Sequence, residues 1–423
     1  MRFHIETYGC QMNVADSELI TTILLRAGFE PAKSLDEADV IMFNTCSVRA
    51  HAEERVLGRV SNELSRKRNK PELKVGLVGC MAQRMGKSLL DRGIDFVVGV
   101  DQYQILPDII MGRDQIHTEF DQTQLYPGLT PTHHSKTCAY ITIMRGCNNF
   151  CSYCIVPFVR GRERSRPWQE IFNETREAGS TGLKEITLLG QNVNSYHDGI
   201  IDFAGLLRKL NSIESIERIR FVTSHPKDLS DDLIESMSGC EKVCEHIHLP
   251  MQSGSSRILQ VMNRGYSSEH YYSLITKLRK SIPNIAITTD IIAGFPSETE
   301  AEFNDTLAVM RDVEFDYAFC FKFSPREGTA AAGFDNQIQE EVRLERLQKM
   351  IELQRQITLS RFQAKIGKNV EVYIEDVSRK NRSQVSGKTR DFKIAVLSGT
   401  ESEIGTLKQA KVKDATAGTL ICE

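Results

Sequence analysis

One pattern constrains this chain more than any other: short, nearly continuous apolar runs alternate with amphipathic helical stretches over most of its length. Apolar runs without a polar face belong to strands buried on both sides, as in a parallel sheet covered by helices. Within residues 1–112 the expected strands are RFHIET, 39–45, 73–79 and 95–100, with helices over 14–27, 49–68 and 83–91. Gly28 and the Asn69-Lys70-Pro71 turn are helix stops. Residues 113–137 have no period and include Pro127, Gly128, Pro131 and the pair His133-His134; a surface linker with solvated histidines is expected. Alternation resumes over 138–364, with strands near 139–144, 184–190, 218–223, 245–249, 286–292 and 316–323, intervening helices, and a long final helix over 338–364. Six such units are too few for a closed eight-stranded barrel but enough for an open one. Residues 365–423 switch to short alternating strands between Gly, Ser and Asn clusters, the pattern of a small OB-like antiparallel β-barrel. The fold class is therefore α/β: an N-terminal parallel-sheet domain, a central partial (β/α)6 barrel and an appended C-terminal β-barrel.

Length and charge set the outer limits. A chain of 423 residues exceeds one ordinary core. It has no apolar run long enough to span a bilayer and no secretory or transit signature at MRFHIETYGC, so the expectation is a cytoplasmic protein with no membrane contact. No long exposed heptad is present, which makes a monomer the default. With 53 basic and 56 acidic residues the global charge selects no partner, so any nucleic-acid surface must be local.

Eleven cysteines in a cytoplasmic chain call for an explanation other than disulfides. Cys147, Cys151 and Cys154 form C-x3-C-x2-C just after the first strand of the central domain. Three thiolates so spaced bind three irons of a [4Fe–4S] cluster and leave the fourth open to a chelating ligand such as S-adenosylmethionine. Structural zinc wants a fourth ligand, which is missing at usual spacing. A redox C-x-x-C would leave Cys147 unexplained. A second trio, Cys10, Cys46 and Cys80, is dispersed in sequence, yet each residue follows the C-terminal end of an expected strand. Those ends share one edge of a parallel sheet, so the thiols can converge, with Gly9 and Gly79 permitting close approach. Cys138, Cys240, Cys244, Cys320 and Cys422 read as small buried apolar residues.

The segments ETYGCQMNVADSE, FNTCSVRAHAE, VGCMAQR, MRGCNNFCSYCIVPFVRGRERSRP, LLGQNVNSY, HLPMQSGSSRILQVMNRGY and DIIAGFPSETE together resemble the MiaB-type methylthiotransferases of the radical S-adenosylmethionine superfamily. The resemblance spans the whole chain, its C-terminal barrel resembling a TRAM domain. It implies 2-methylthiolation of N6-isopentenyladenosine beside the anticodon of tRNA. It also implies two [4Fe–4S] clusters, an auxiliary one on Cys10, Cys46 and Cys80 and a radical one on Cys147, Cys151 and Cys154. Cofactor contacts implied for S-adenosylmethionine are Tyr153, Gln191, Asn192, Gln252, Ser253 and Gly294. An electron-donor protein, a sulfur donor and a tRNA anticodon stem-loop are the implied partners.

Replacing hydrogen by sulfur at an unactivated ring carbon is beyond side-chain nucleophiles and acid–base groups. Two clusters are useful only if both domains open onto one cleft. RNA contacts are expected from Arg160, Arg162, Arg164 and Arg166 around the radical loop, where ion pairs with Glu163, Glu170 and their neighbours are the alternative, and from Arg379, Lys380, Arg382 and Lys388 on a hairpin of the terminal barrel. Within the same chemistry, threonylcarbamoyladenosine or a ribosomal-protein aspartate is the alternative target. A non-catalytic RNA-binding iron–sulfur sensor and a zinc-binding RNA module are alternatives of another class.

Overall fold

A computed structural model describes residues 1–46, 50–112 and 115–423. Six parallel strands form the N-terminal sheet in the order Glu30–Pro31, Arg2–Tyr8, Val40–Thr45, Lys74–Gly79, Phe96–Val98, Ile116–His117. Its central strand Val40–Thr45 is buried at every residue, which is why that run carries no alternation. The helices Gln11–Arg26 and Ala50–Arg66 flank it. The expected helix over 83–91 begins earlier, as Cys80–Met85 directly off the strand, and continues as a 3-10 turn over Gly86–Arg92. The edge strands at residues 30 and 116 have two residues each, too few to register as a sequence period; the second lies inside the segment expected to be linker.

The central region has six parallel strands: Cys138–Thr142, Glu185–Leu189, Arg218–Phe221, His246–His248, Ala286–Ala293 and Tyr317–Lys322. They pair as two three-stranded sheets linked by a bridge between Ile219 and Val243, and the barrel stays open between its first and last strands. Helix starts follow local chemistry. The side chains of Asp202, Ser230, Ser255 and Ser267 each accept a first-turn N–H, and Thr299 forms a reciprocal capping box with Glu302. Two short helices escape the sequence period, Val156–Arg160 and Ser256–Val261.

The last five strands close into a barrel, ordered Asn369–Val377, Gln384–Thr389, Ile394–Ser398, Leu420–Cys422, Leu407–Ala415. It docks where the central strands begin. Arg218, the first residue of its strand, is fully buried and donates to the Glu371 carboxylate (2.7 Å) and the Lys388 carbonyl (2.8 Å). Arg220 donates to the carbonyls of Thr389 and Arg390. His246 stacks on Phe392 at 4.4 Å, and Lys393 reaches Asp316. This dock lies at the opposite end of the central barrel from the cysteine loop. Among the described residues no helix is long and apolar enough to cross a membrane.

Candidate iron–sulfur and cofactor site

Strand register brings the N-terminal trio together. Tyr8 pairs with Thr45 and Thr45 with Gly79, so Cys46 and Cys80 leave the sheet side by side and Cys10 emerges beside them. The approach is tight: a Cβ on Gly9 would lie 2.6 Å from Cys46 Cβ, and one on Gly79 would lie 2.5 Å from Asn44 Oδ1. Both glycines also have positive φ, so no side chain is tolerated there. Beneath them Asn44 donates to the Asn13 carbonyl and the Ser17 hydroxyl, and Asn13 donates to Asn44 Oδ1. This buried network fixes the start of the first helix, and with it Cys10, against the strand that carries Cys46. The Cys46 thiol's hydrogen bond and the Arg160 charge bring the Cys10 thiol down to about 6. Burial pushes Cys80 up, with the Arg160 charge opposing it.

The second trio is shaped by its loop. Gly146 has φ +76°, and a Cβ there would sit 2.0 Å from the Arg162 carbonyl oxygen. The Asn149 N–H points at Cys147 Sγ (3.5 Å), and Arg264 donates to Cys151 Sγ (3.3 Å) and faces the Tyr153 hydroxyl (3.4 Å). Burial raises Cys147, and it pushes Cys154 up to about 12. No three His, Cys, Asp or Glu side chains among the described residues group closely enough for a single ion.

A five-residue helix, Val156–Arg160, about 7.5 Å long, joins the two trios. It begins two residues past Cys154 and ends at Arg160, whose Nε donates to Cys80 Sγ at 3.1 Å. Cys80 also packs with Ile155, Val159 and Val100. The contact is held by Asp16, fully buried, which accepts from Arg160 (2.8 Å), Arg145 (2.9 Å) and the Tyr103 hydroxyl (3.3 Å). Burial alone would raise the Asp16 carboxyl, but Arg160 and Arg145 hold it below the usual carboxylate range. Arg160 Nη1 is buried with no hydrogen-bond partner, a donor that suits an anionic sulfur-rich core.

A cavity of about 640 Å3 opens from the radical loop along the inside of the barrel, lined by Tyr153, Cys154, Gln252, His248, Asp290, Phe319 and Phe321 among others. Of the expected cofactor contacts, Tyr153 and Gln252 line it. Gln191, Asn192 and Gln252 each carry a buried side-chain oxygen without a donor. Orphan acceptors of this kind suit the ammonium group of S-adenosylmethionine. The Asn192 amide is held by Asp228 (2.7 Å). Ser253 is fully buried and its hydroxyl accepts from the Ser255 N–H. Gly294 donates to the Glu298 carboxylate and lies against Arg343. Neither is among the residues lining the cavity.

The expected RNA contacts need correction. Arg160, Arg164 and Arg166 are not a basic surface. Their guanidiniums are consumed by Asp16, by Asp101 (bidentate, 3.0 Å) and by Glu174 (2.7 Å), all inside the protein. Sequence shows these arginines near one loop; the partners of Arg160 and Arg164 come from distant segments, while Glu174 lies only eight residues past Arg166, on the next helix. Lys388 pairs with Glu375 at 2.8 Å. Arg162 remains exposed, its guanidinium 4.2 Å above the Phe150 ring, and Arg379, Lys380 and Arg382 are exposed at their turn. His133 also departs from the solvated loop: its side chain is buried, bonded to Glu18 (3.0 Å) and facing Glu174 (3.8 Å). Of the five cysteines read as buried and apolar, four are buried, and Cys320 lines the cavity. Sequence reasoning did not select Asp16 or Arg264; both lie within quoted motifs, but no spacing rule marks their roles.

Three domain families match the chain: an uncharacterised family, UPF0004, over residues 2–99, the Radical SAM superfamily over 141–310, and the TRAM domain over 363–423. Proteins named tRNA-2-methylthio-N(6)-dimethylallyladenosine synthase are similar over nearly the full length. The one from Thermoanaerobacter sp. (strain X514) is 47% identical, covering 99% of this chain and 91% of its own. That of Clostridium novyi (strain NT) is 45% identical, covering 100% and 96%. Among solved structures, the radical S-adenosylmethionine methyltransferase TsrM from Kitasatospora setae superposes with a TM-score of 0.63 at 14% identity, covering 78% of this chain and 74% of its own. At that identity the likeness speaks to fold alone.

Proposed function

The chain belongs to the family of tRNA-2-methylthio-N(6)-dimethylallyladenosine synthases, radical S-adenosylmethionine transferases, and from that premise we propose that it exchanges the C2 hydrogen of N6-isopentenyladenosine, beside the anticodon of tRNA, for a methylthio group. The observation that supports this most is the helix Val156–Arg160, which begins two residues past Cys154 and sets one cysteine trio against the other. Sulfur transfer between two centres needs that proximity.

In this reading Cys147, Cys151 and Cys154 hold the radical cluster and Cys10, Cys46 and Cys80 an auxiliary one. When bound, these groups supply the electron that cleaves S-adenosylmethionine and the sulfur that is methylated and inserted. The chain's own residues bind and orient. Arg264 and Arg160 steady one thiolate of each trio. Gln191, Asn192 and Gln252 offer acceptors to the amino group of S-adenosylmethionine, and Tyr153 lines the cavity beside Gln252. Arg162, together with Arg379, Lys380 and Arg382, offers phosphate contacts to the RNA. A strand of five or six residues is roughly 17–20 Å long, so RNA touching both the hairpin and the cysteine loop runs along the side of the barrel. Domains at 1–112, 138–364 and 365–423, joined by 113–137, a cytoplasmic monomer, an electron-donor protein and an external sulfur donor complete the proposal.

The test is anaerobic. Reconstituted protein, reductant, a sulfide source, S-adenosylmethionine and an isopentenylated anticodon stem-loop should give an RNA product with added SCH3, together with 5′-deoxyadenosine. Formation of 5′-deoxyadenosine with no mass gain on this RNA, but gain on a threonylcarbamoylated one, would move the assignment to the other substrate. Absence of 5′-deoxyadenosine would rule out radical catalysis.

A further inference from the structure

The central barrel stops at six strands, so its last strand has an open edge and the inner row beside it is reached through the gap. On this strand Tyr317, Phe319 and Phe321 are 46%, 43% and 36% exposed. Register puts them in line with the inner row of the neighbouring strand: Tyr317 beside Thr288, Phe319 beside Asp290, Phe321 beside Ile292. Phe319 meets Tyr317 edge-on at 4.9 Å and His248 at 6.1 Å. The row continues into the cavity that begins at Tyr153 and Cys154, where Leu347 of the helix Glu340–Gln363 joins it. Leu344 and Ile351, one turn to either side on that helix, are 48% and 44% exposed. Contiguous exposed aromatic and aliphatic surface opening into a reactive cleft is a binding feature.

We propose that Phe319 and Phe321 are specificity-determining residues that receive the N6-isopentenyl chain and stack on the adenine that carries it. The inference deepens the function proposed above and rests on it. Its occupant is set by chemistry. The substituent is a branched five-carbon apolar chain on a flat ring, and the row of Phe319, Phe321 and Leu347 is aromatic and aliphatic and continuous with Tyr153 and Cys154, while the polar lining residues His248, Asp290, Ser324 and Arg326 are left to the rest of the nucleotide. A threonylcarbamoyl group brings a carboxylate and a hydroxyl. The basic residue on this strand, Lys322, is already bonded to Glu340. Aromatic side chains provide stacking for an unpaired base, and an apolar pocket discriminates roughly 10–200-fold per methylene.

The test measures Kd on the reconstituted full chain for two stem-loops identical except for the isopentenyl group. The wild-type protein should bind the prenylated one at least about tenfold more tightly. Phe319→Ala and Phe321→Ala should each reduce that ratio to about threefold or less, while Phe319→Leu, still apolar, should retain most of it. Iron content and visible absorbance report whether each variant assembles. Hydroxyl-radical footprinting of the wild-type protein requires no variant: the prenylated stem-loop should protect Phe319 and Phe321, and the bare one should protect them less. No wild-type preference for the prenyl group would overturn this inference, whereas the function itself fails only if the prenylated stem-loop gains no SCH3. A clear wild-type preference that survives both alanine substitutions, or equal protection by the two RNAs, would overturn this inference alone.

Discussion

Replacing Asp16 by alanine should loosen the joint between the two cysteine-bearing domains. The carboxylate is fully buried and accepts from two guanidiniums and one hydroxyl, and two of the three donors, Arg145 and Arg160, belong to the other domain. Removing one partner of a buried ion pair costs about 3–5 kcal/mol, because the remaining charge stays desolvated. Here two arginines lose their counter-ion together, so the lower bound is secure. At about 1.4 kcal/mol per tenfold, the joint should open roughly 140- to 3,700-fold more often. Native-state hydrogen exchange is the appropriate assay, since a chain of several domains has no single unfolding free energy. Amides of Gln11–Arg26 and of residues 138–166 should exchange faster by that factor, while those of the C-terminal barrel should not change. Pairing Asp16→Asn with Arg160→Met, which removes both charges, should cost less than the sum of the single changes. A change below about fivefold for Asp16→Ala, or strict additivity in the pair, would refute the reasoning that this carboxylate holds the domains together.

Three further outcomes follow from the same geometry. Gly146→Ala should abolish iron loading at the Cys147 trio while leaving the N-terminal trio loaded, because the left-handed backbone costs about 1–2 kcal/mol and the new Cβ collides with the Arg162 carbonyl; iron analysis and cluster spectra on the purified variant measure this. Arg218→Ala removes a buried guanidinium and its bonds to Glu371 and Lys388, costing on the order of 2–3 kcal/mol. Limited proteolysis should then cut faster between Gln363 and Asn369, releasing the terminal barrel. The His133 contact should depend on pH. Burial would lower its pKa, but Glu18, Glu174 and Glu177 raise it overall. A group raised in the folded state stabilises fully below its unfolded value of about 6.5 and loses that contribution as pH rises through the folded value. The difference in local hydrogen-exchange protection between wild type and His133→Gln should therefore be largest near pH 6 and shrink toward pH 9; a difference that grows with pH would reverse the assignment.

Much of the architecture was legible in the linear pattern because its causes are local. Buried parallel strands read as unbroken apolar runs, and a residue just past such a strand must emerge at the shared edge. That logic picked out Cys10, Cys46 and Cys80 across seventy residues of sequence. The same logic failed for arginines. Arg160, Arg164 and Arg166 look like an RNA surface in a line of residues, since a charged side chain declares its sign locally but its partner only in three dimensions. Their partners Asp16, Asp101 and Glu174 belong to other elements. The alternating pattern of the last strand likewise gave no sign that half of it faces an uncovered opening. Which end of the barrel receives the C-terminal domain was also invisible, because docking depends on strand ends meeting a surface built elsewhere in the chain. The sequence by itself determined the longer strands, most of the longer helices and which cysteines fall at strand ends or in one loop, all set by neighbours within a few residues. Only the tertiary structure decided which charges are buried, which aromatic rings are open and that a five-residue helix bridges the two sets, because each is a property of surfaces that meet only after folding.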